Sequence, residues 1–248
     1  MPNVGGNLKG VDKMKRIYHK TFPSVVEILW KIVPIVFASI GVYLQAKIDG
    51  GLFRTYVFLY FTIMSNMGTA IIFAIMLIMQ IIERCRKRKL ISNKLLTVKY
   101  MFTAAMTLTL VVSLCLLAPF KSQAYLFSFR NLSLHIFAPF AAVIDFWVFD
   151  KRFKCRLRTS LLGLVIPTIY LAVTLLLSIR GITYSNGTMY PYYFLDYRSL
   201  GWLSFTSEKI GVVWWISLIA VIAFVSSLLL TVIKIIINKF REWIKCCS

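Results

Sequence analysis

The stretch Ile210–Ile236, IGVVWWISLIAVIAFVSSLLLTVIKII, decides the class of this chain, because its only charge is Lys234. About 20 such residues in a helix cross the hydrocarbon core of a bilayer. Five further apolar runs precede it, over 32–46 (extending back toward Ser24), 53–82, 95–118, 131–149 and 161–179. Backbone amides in lipid must be paired within the segment, so these runs predict helices rather than open strands. The expected fold is an all-α membrane protein, a six-transmembrane-helix bundle. A basic segment (1–31) leads into the membrane domain (32–236), and a short basic tail (237–248) closes the chain. The N-terminal segment has no small-residue cleavage site after a short apolar core, so the first span is read as retained.

Composition agrees with this reading. Hydrophobic residues make up 59% of the 248, and mean hydropathy is +0.76. A soluble domain carries about 45–50% apolar residues. The net charge of +20 raises the question of nucleic acid, and its distribution answers it. Of the 29 Lys and Arg, 22 fall in alternate segments: the N-terminal segment, the 83–99 and 150–160 loops, and the C-terminal end. The intervening loops hold 7. Such alternation is the positive-inside pattern and predicts that both termini are cytoplasmic. The runs Arg84–Lys89 and Lys151–Lys154 then read as anchors for anionic lipid headgroups, with no nucleic-acid partner. The expected residence is a multi-pass position in a bacterial plasma membrane.

Cysteine usage fits the same orientation. Cys85, Cys155, Cys246 and Cys247 fall on the predicted cytoplasmic side and Cys115 lies within a span, so no disulfide framework and no metal site are expected. Cys246 and Cys247 beside Trp243 suit palmitoylation in a eukaryotic host, or are simply reduced thiols near a membrane. Asn186-Gly187-Thr188 is a glycosylation sequon on the predicted outer side. No cofactor is implied. The second histidine, His19, lies in the cytoplasmic segment, which leaves no bis-histidine pair within the bundle for haem.

Polar residues inside spans are expensive and therefore informative. In the second span Thr62, Asn66 and Thr69 share a helical stripe, with Ser65 at its edge. Hydroxyls in such stripes commonly hold helices together. The carboxamide of Asn66 needs several partners and is harder to assign to packing alone. Thr103, Thr107 and Ser113 in the third span read as packing. The fourth span carries His135 and Asp145, about 15 Å apart along the axis and roughly 80° apart around it, so Asp145 cannot orient His135. Asp145 is expected to pair with a basic residue such as Lys99 or Arg158.

Counting from the predicted span starts, Thr62 lies about 14 Å into the membrane and His135 roughly 6–18 Å, so the two can share a level. A hydroxyl beside an imidazole is the minimal nucleophile–base unit. Asn66 one turn away could donate to an oxyanion or orient the ring, with Ser65 and Asn131 in support. In the long outer loop, Tyr192, Tyr193 and Trp202 suit interface anchoring. Alternatively the segment holding Tyr190, Pro191 and Asp196 folds over the bundle mouth as a cap. Asp196 could then meet Arg198, Arg130 or Arg54, and Gly201 permits a turn.

The Thr62 segment, the Asn131…His135…Pro139 segment, Ile166–Tyr170, Arg180-Gly181, Tyr190–Asp196 and Gly201-Trp202 occur in this order on six predicted helices. In these motifs the chain resembles the androgen-induced, FAR-type integral membrane hydrolases, which include the androgen-dependent TFPI-regulating protein, and most closely the bacterial six-span branch. The resemblance covers about residues 30–235. It implies an intramembrane threonine hydrolase of lipid esters, such as fatty acid esters of hydroxy fatty acids. Thr62 would be the nucleophile and His135 the base, with a lipid ester entering from the bilayer. The chain departs from the family in its third span, which offers only Thr and Ser where an ester site wants more polar support, and its tail is short and basic. Two other classes stay open. One is a small-molecule or proton-coupled transporter using His135, Asp145 and Asn66, although the usual inverted repeats and broken helices are not visible. The other is a non-catalytic membrane sensor or scaffold.

Overall fold

The computed structural model describes residues 24–47, 53–184 and 187–247. His19 and Asn186 therefore lie outside the described residues, as does most of the basic N-terminal segment. Six helices are long and apolar enough to cross a membrane: α1 Val25–Ala46, α2 Phe61–Arg86, α3 Asn93–Phe120, α4 Phe129–Val148, α5 Leu157–Ile179 and α6 Val212–Ile244. Among the described residues there is no strand, only two isolated bridges, Lys47 with Phe53 and Phe205 with Ile210. The chain is a six-helix bundle of the membrane-spanning kind.

Several expected boundaries shift, each for a local reason. The second span starts at Phe61 rather than near residue 53, because a 3-10 turn over Thr55–Leu59 and an extended Tyr60 precede it. Thr62 is thus in the first turn of α2, not nine residues inside a helix, and the depth count made from residue 53 does not hold. The expected tail 237–248 is helical as far as Cys247, continuing α6.

Prolines account for the irregular turns. A proline has no N–H for the carbonyl four residues earlier and crowds that carbonyl. Pro34 follows the break at Lys31 in α1. Pro119 and Pro139 each follow a π-helical stretch, Ser113–Leu117 in α3 and Ser133–Phe137 in α4. Wide turns of this kind cluster at functional sites. His135 is the central residue of the second one.

Packing runs through α3, which touches α2, α4, α5 and α6, while α1 lies against α2 and α4. Lipid chains are as apolar as leucine, so close approach and hydrogen bonds hold such helices together, rather than transfer from water. Gly41 of α1 sits directly against Ser133 and Leu134 of α4, and Gly163 of α5 against Ser227 of α6. Tyr100 of α3 is fully buried and shares its hydroxyl with Ser227 Oγ and Thr231 Oγ1 of α6, both at 2.7 Å.

At the basic end of the bundle the charges are internal. Lys99 of α3 bonds Asp145 of α4 and, at 2.6 Å, Asp150. Lys31 at the break in α1 reaches the other Asp145 oxygen at 2.6 Å. Lys31, Lys99 and Asp145 have no exposed side-chain surface. Lys99 is one of the two partners the sequence offered for Asp145; Arg158 is not used, and Lys31 takes the second place. Lys234 of α6 donates to the carbonyls of Phe146 (2.8 Å) and Trp147 (3.2 Å), placing its charge at the negative end of the α4 dipole. Glu83 accepts from the Leu90 and Ile91 N–H groups and from Arg152, which fixes the α2–α3 loop.

Candidate functional site

The opposite end of the bundle holds the expected functional residues other than Asp145. Thr62 lines a cavity of about 160 Å³ between α2, α3, α5 and α6, walled mostly by apolar side chains. Leu108, Val112, Leu171, Ile219 and Ala223 supply much of that surface, and Thr109, Ser113, Thr168 and Tyr170 add hydroxyls. The cavity exists because α5 and α6 pack along Leu157–Leu164 and diverge beyond it. Residues Phe194 and Leu195 of the long loop fill the top of that cleft, against Val212 at the start of α6.

The hydroxyl of Tyr192 reaches the first turn of α2. It lies near the Thr62 side chain and the backbone N–H groups of Phe61 and Thr62. Those N–H groups have no partner within the helix, since they belong to its first turn. Burial of the hydroxyl pushes the Tyr192 phenol up to about 12, so it stays protonated at any physiological pH. Its ring stacks on Phe194 at 5.1 Å and meets Tyr60 edge-on at 5.8 Å.

Asn66 is the link from α2 to α4. Its Nδ2 donates to the Thr62 carbonyl at 2.8 Å and to the Leu134 carbonyl at 3.2 Å, while its Oδ1 is buried without a protein partner. His135 follows Leu134 directly and is 8% exposed, and its Nδ1 also lacks a protein partner. Among the described residues no hydrogen bond joins His135 to Thr62, and His135 is not part of the cavity wall. Asn66 therefore ties the Thr62 carbonyl to that of Leu134, the neighbour of His135, and does not itself bond the ring.

The remaining expected residues fall as follows. Ser65 Oγ bonds Thr109 across the α2–α3 contact at 3.1 Å and turns back to the Thr62 carbonyl, a packing arrangement. Asn131 donates to the Leu126 carbonyl at 2.9 Å, closing the turn before α4 and leaving its amide committed locally. Asp145 lies at the far end, in the lysine network. Asp196 is not paired to an arginine side chain; it caps the short helix Tyr197–Leu200 by accepting from the Arg198 and Ser199 N–H groups. The reason is proximity, since an N-cap carboxylate finds backbone donors two and three residues ahead. Although burial raises the Asp196 carboxyl, bonds from Ser199, Tyr190 and the backbone bring it below its ordinary value. Tyr190 packs beside Phe194 and Leu195, and Trp202 stacks on Tyr197 at 5.2 Å. Pro191 precedes Tyr192 in the same segment, and Gly201 has a φ of 70° that suits glycine.

Sequence reasoning missed Tyr192, Ser113 and Tyr170 as residues of the cavity that Thr62 lines. Prolines at 119 and 139 were the available signal for the wide turns. No group of three or more His, Cys, Asp or Glu arranged to hold a metal occurs among the described residues. Compared with protein-family models, curated proteins and solved structures, the chain matches none.

Proposed function

We propose that the protein is an integral membrane hydrolase of lipid esters, with Thr62 as nucleophile and His135 as general base. The observation that carries this reading is the placement of Thr62 on the wall of an apolar cavity inside the bundle, with Asn66 tying its carbonyl to that of Leu134, the residue before His135. An ester entering from the bilayer puts its carbonyl carbon at Thr62 Oγ. His135, on the adjoining wide turn of α4, takes the hydroxyl proton as the new C–O bond forms. The Phe61 and Thr62 N–H groups, now facing the Tyr192 hydroxyl, supply donors for the oxyanion when the substrate oxygen takes its place. The protonated ring returns its proton to the leaving alcohol, and a water activated by the same ring then hydrolyses the acyl-threonine. Asn66 holds the two elements in register through the carbonyls of Thr62 and Leu134.

Asp145 is paired to Lys31 and Lys99 at the basic end of the bundle, away from Thr62. We place both termini on the cytoplasmic side of the cell membrane, where the basic loops meet anionic headgroups. The test is ester hydrolysis by the purified protein in nanodiscs, with fluorophosphonate labelling. Thr62→Ala should abolish both labelling and turnover, and His135→Ala should lower turnover by about 100-fold or more. Retained turnover in either folded variant removes the assignment.

A further inference from the structure

The divergence of α5 from α6 points to more than a place for Thr62. The two helices touch where Gly163 meets Ser227, and a side chain at Gly163 would collide with that serine. Beyond this contact they separate, and the buried Ala223 of α6 forms part of the cavity wall near the contact. Thr62 belongs to the same cavity from the α2 side. On the outward faces beside the cleft, Ile169 and Val173 of α5 and Leu218 and Val221 of α6 are exposed apolar side chains, as a lipid-facing surface requires.

The volume sets a scale. A dry protein cavity of about 150 Å³ accommodates benzene, a six-carbon molecule. The cavity here is about 160 Å³ and largely apolar. We infer that this cleft is an acyl-chain pocket that measures a short chain of about six carbons, entered sideways between α5 and α6, with Ala223 setting its length. The carbonyl lies at Thr62 and the chain runs toward the Gly163–Ser227 contact. The inference rests on Thr62 as the reacting residue only for the identity of the polar end; the pocket itself depends on the helix geometry. It assigns the acyl side of the ester to the cavity and leaves the alcohol side outside.

Two measurements separate the pocket from the chemistry. The first uses methyl ketones, which carry the carbonyl and cannot be hydrolysed. With 2-pentanone, 2-heptanone and 2-dodecanone at equal mole fraction in nanodiscs, 2-heptanone, whose chain and carbonyl match hexanoyl, should raise the Tm most, and Ala223→Leu should remove that maximum. The second uses 4-nitrophenyl esters of two to sixteen carbons. kcat/KM should peak near hexanoate, and Ala223→Leu should shift the hexanoate-to-acetate ratio toward acetate by about tenfold or more, the scale of a few methylenes in an apolar pocket. Ala223→Val should shift it in the same direction by less, which covers a leucine variant that fails to fold. A ketone maximum at seven carbons without hydrolysis of any ester sustains the pocket and sinks Thr62 as nucleophile. No chain-length maximum in ketone binding, or one that Ala223→Leu and Ala223→Val both leave in place, overturns the pocket.

Discussion

Asn66 on α2 donates a hydrogen bond across the bundle to the carbonyl of Leu134 on α4, at 3.2 Å, while holding the Thr62 carbonyl at 2.8 Å. One fully buried carboxamide therefore sets the spacing between the first turn of α2 and the wide turn that carries His135. Removing it leaves the Leu134 carbonyl buried without this donor. Asn66→Leu should destabilise the protein by about 1–3 kcal/mol, the scale of an unmet buried polar group. Thermal unfolding in nanodiscs checks the stability. Ester turnover, measured beside it, should fall further than the loss of folded protein explains.

The lysine network predicts a larger effect at the other end. Asp145→Asn leaves Lys31 and Lys99 facing each other in a buried site, with Asp150 still paired to Lys99. Breaking a buried pair by removing one partner costs about 3–5 kcal/mol. A drop in Tm well beyond that of Glu208→Gln, an exposed loop substitution, is expected by scanning calorimetry.

Gly163 and Ser227 form a contact that can be tested as a pair. Gly163→Ala should destabilise by about 1–3 kcal/mol through overpacking. Adding Ser227→Ala should return part of that loss, although it also removes one partner of Tyr100. Strictly additive losses in the double variant would show that the two residues do not press on each other.

Acid should loosen the long loop at Asp196. The folded carboxyl titrates below its ordinary value of 3.8, so its contribution is complete above that value. It is lost as pH falls through the depressed folded value, where the cap of the Tyr197–Leu200 helix is protonated. Fluorescence of Trp202, stacked on Tyr197, should follow this transition, and Asp196→Asn should abolish its pH dependence.

Alkali should act on Tyr192 in the opposite sense. Its phenol is pushed up to about 12 in the folded protein, against 10.0 for an unburied tyrosine. Between those values an unfolded chain loses the proton while the folded one keeps it, so stability declines as pH rises above about 10. Tyr192→Phe should flatten the unfolding profile over that interval, measured by chemical denaturation in detergent.

The sequence by itself determined that six helices cross a membrane, because a bilayer admits few alternatives to an apolar run of sufficient length. It also marked Asp145 as needing a cation and offered Lys99, since a buried carboxylate has few other remedies. Thr62, Asn66 and His135 were legible as polar residues in apolar surroundings, but not their mutual arrangement. That arrangement depends on helix rotation and on small departures from 3.6 residues per turn, to which hydropathy is insensitive. The 3-10 turn before Phe61 moved Thr62 to the start of α2, and Pro139 widened the turn around His135. Only the tertiary structure decided that Tyr192, far along the chain, lines the same cavity as Thr62, and that α5 and α6 part to leave that cavity. Contacts between segments distant in sequence, made by close packing rather than by composition, fix where those side chains meet.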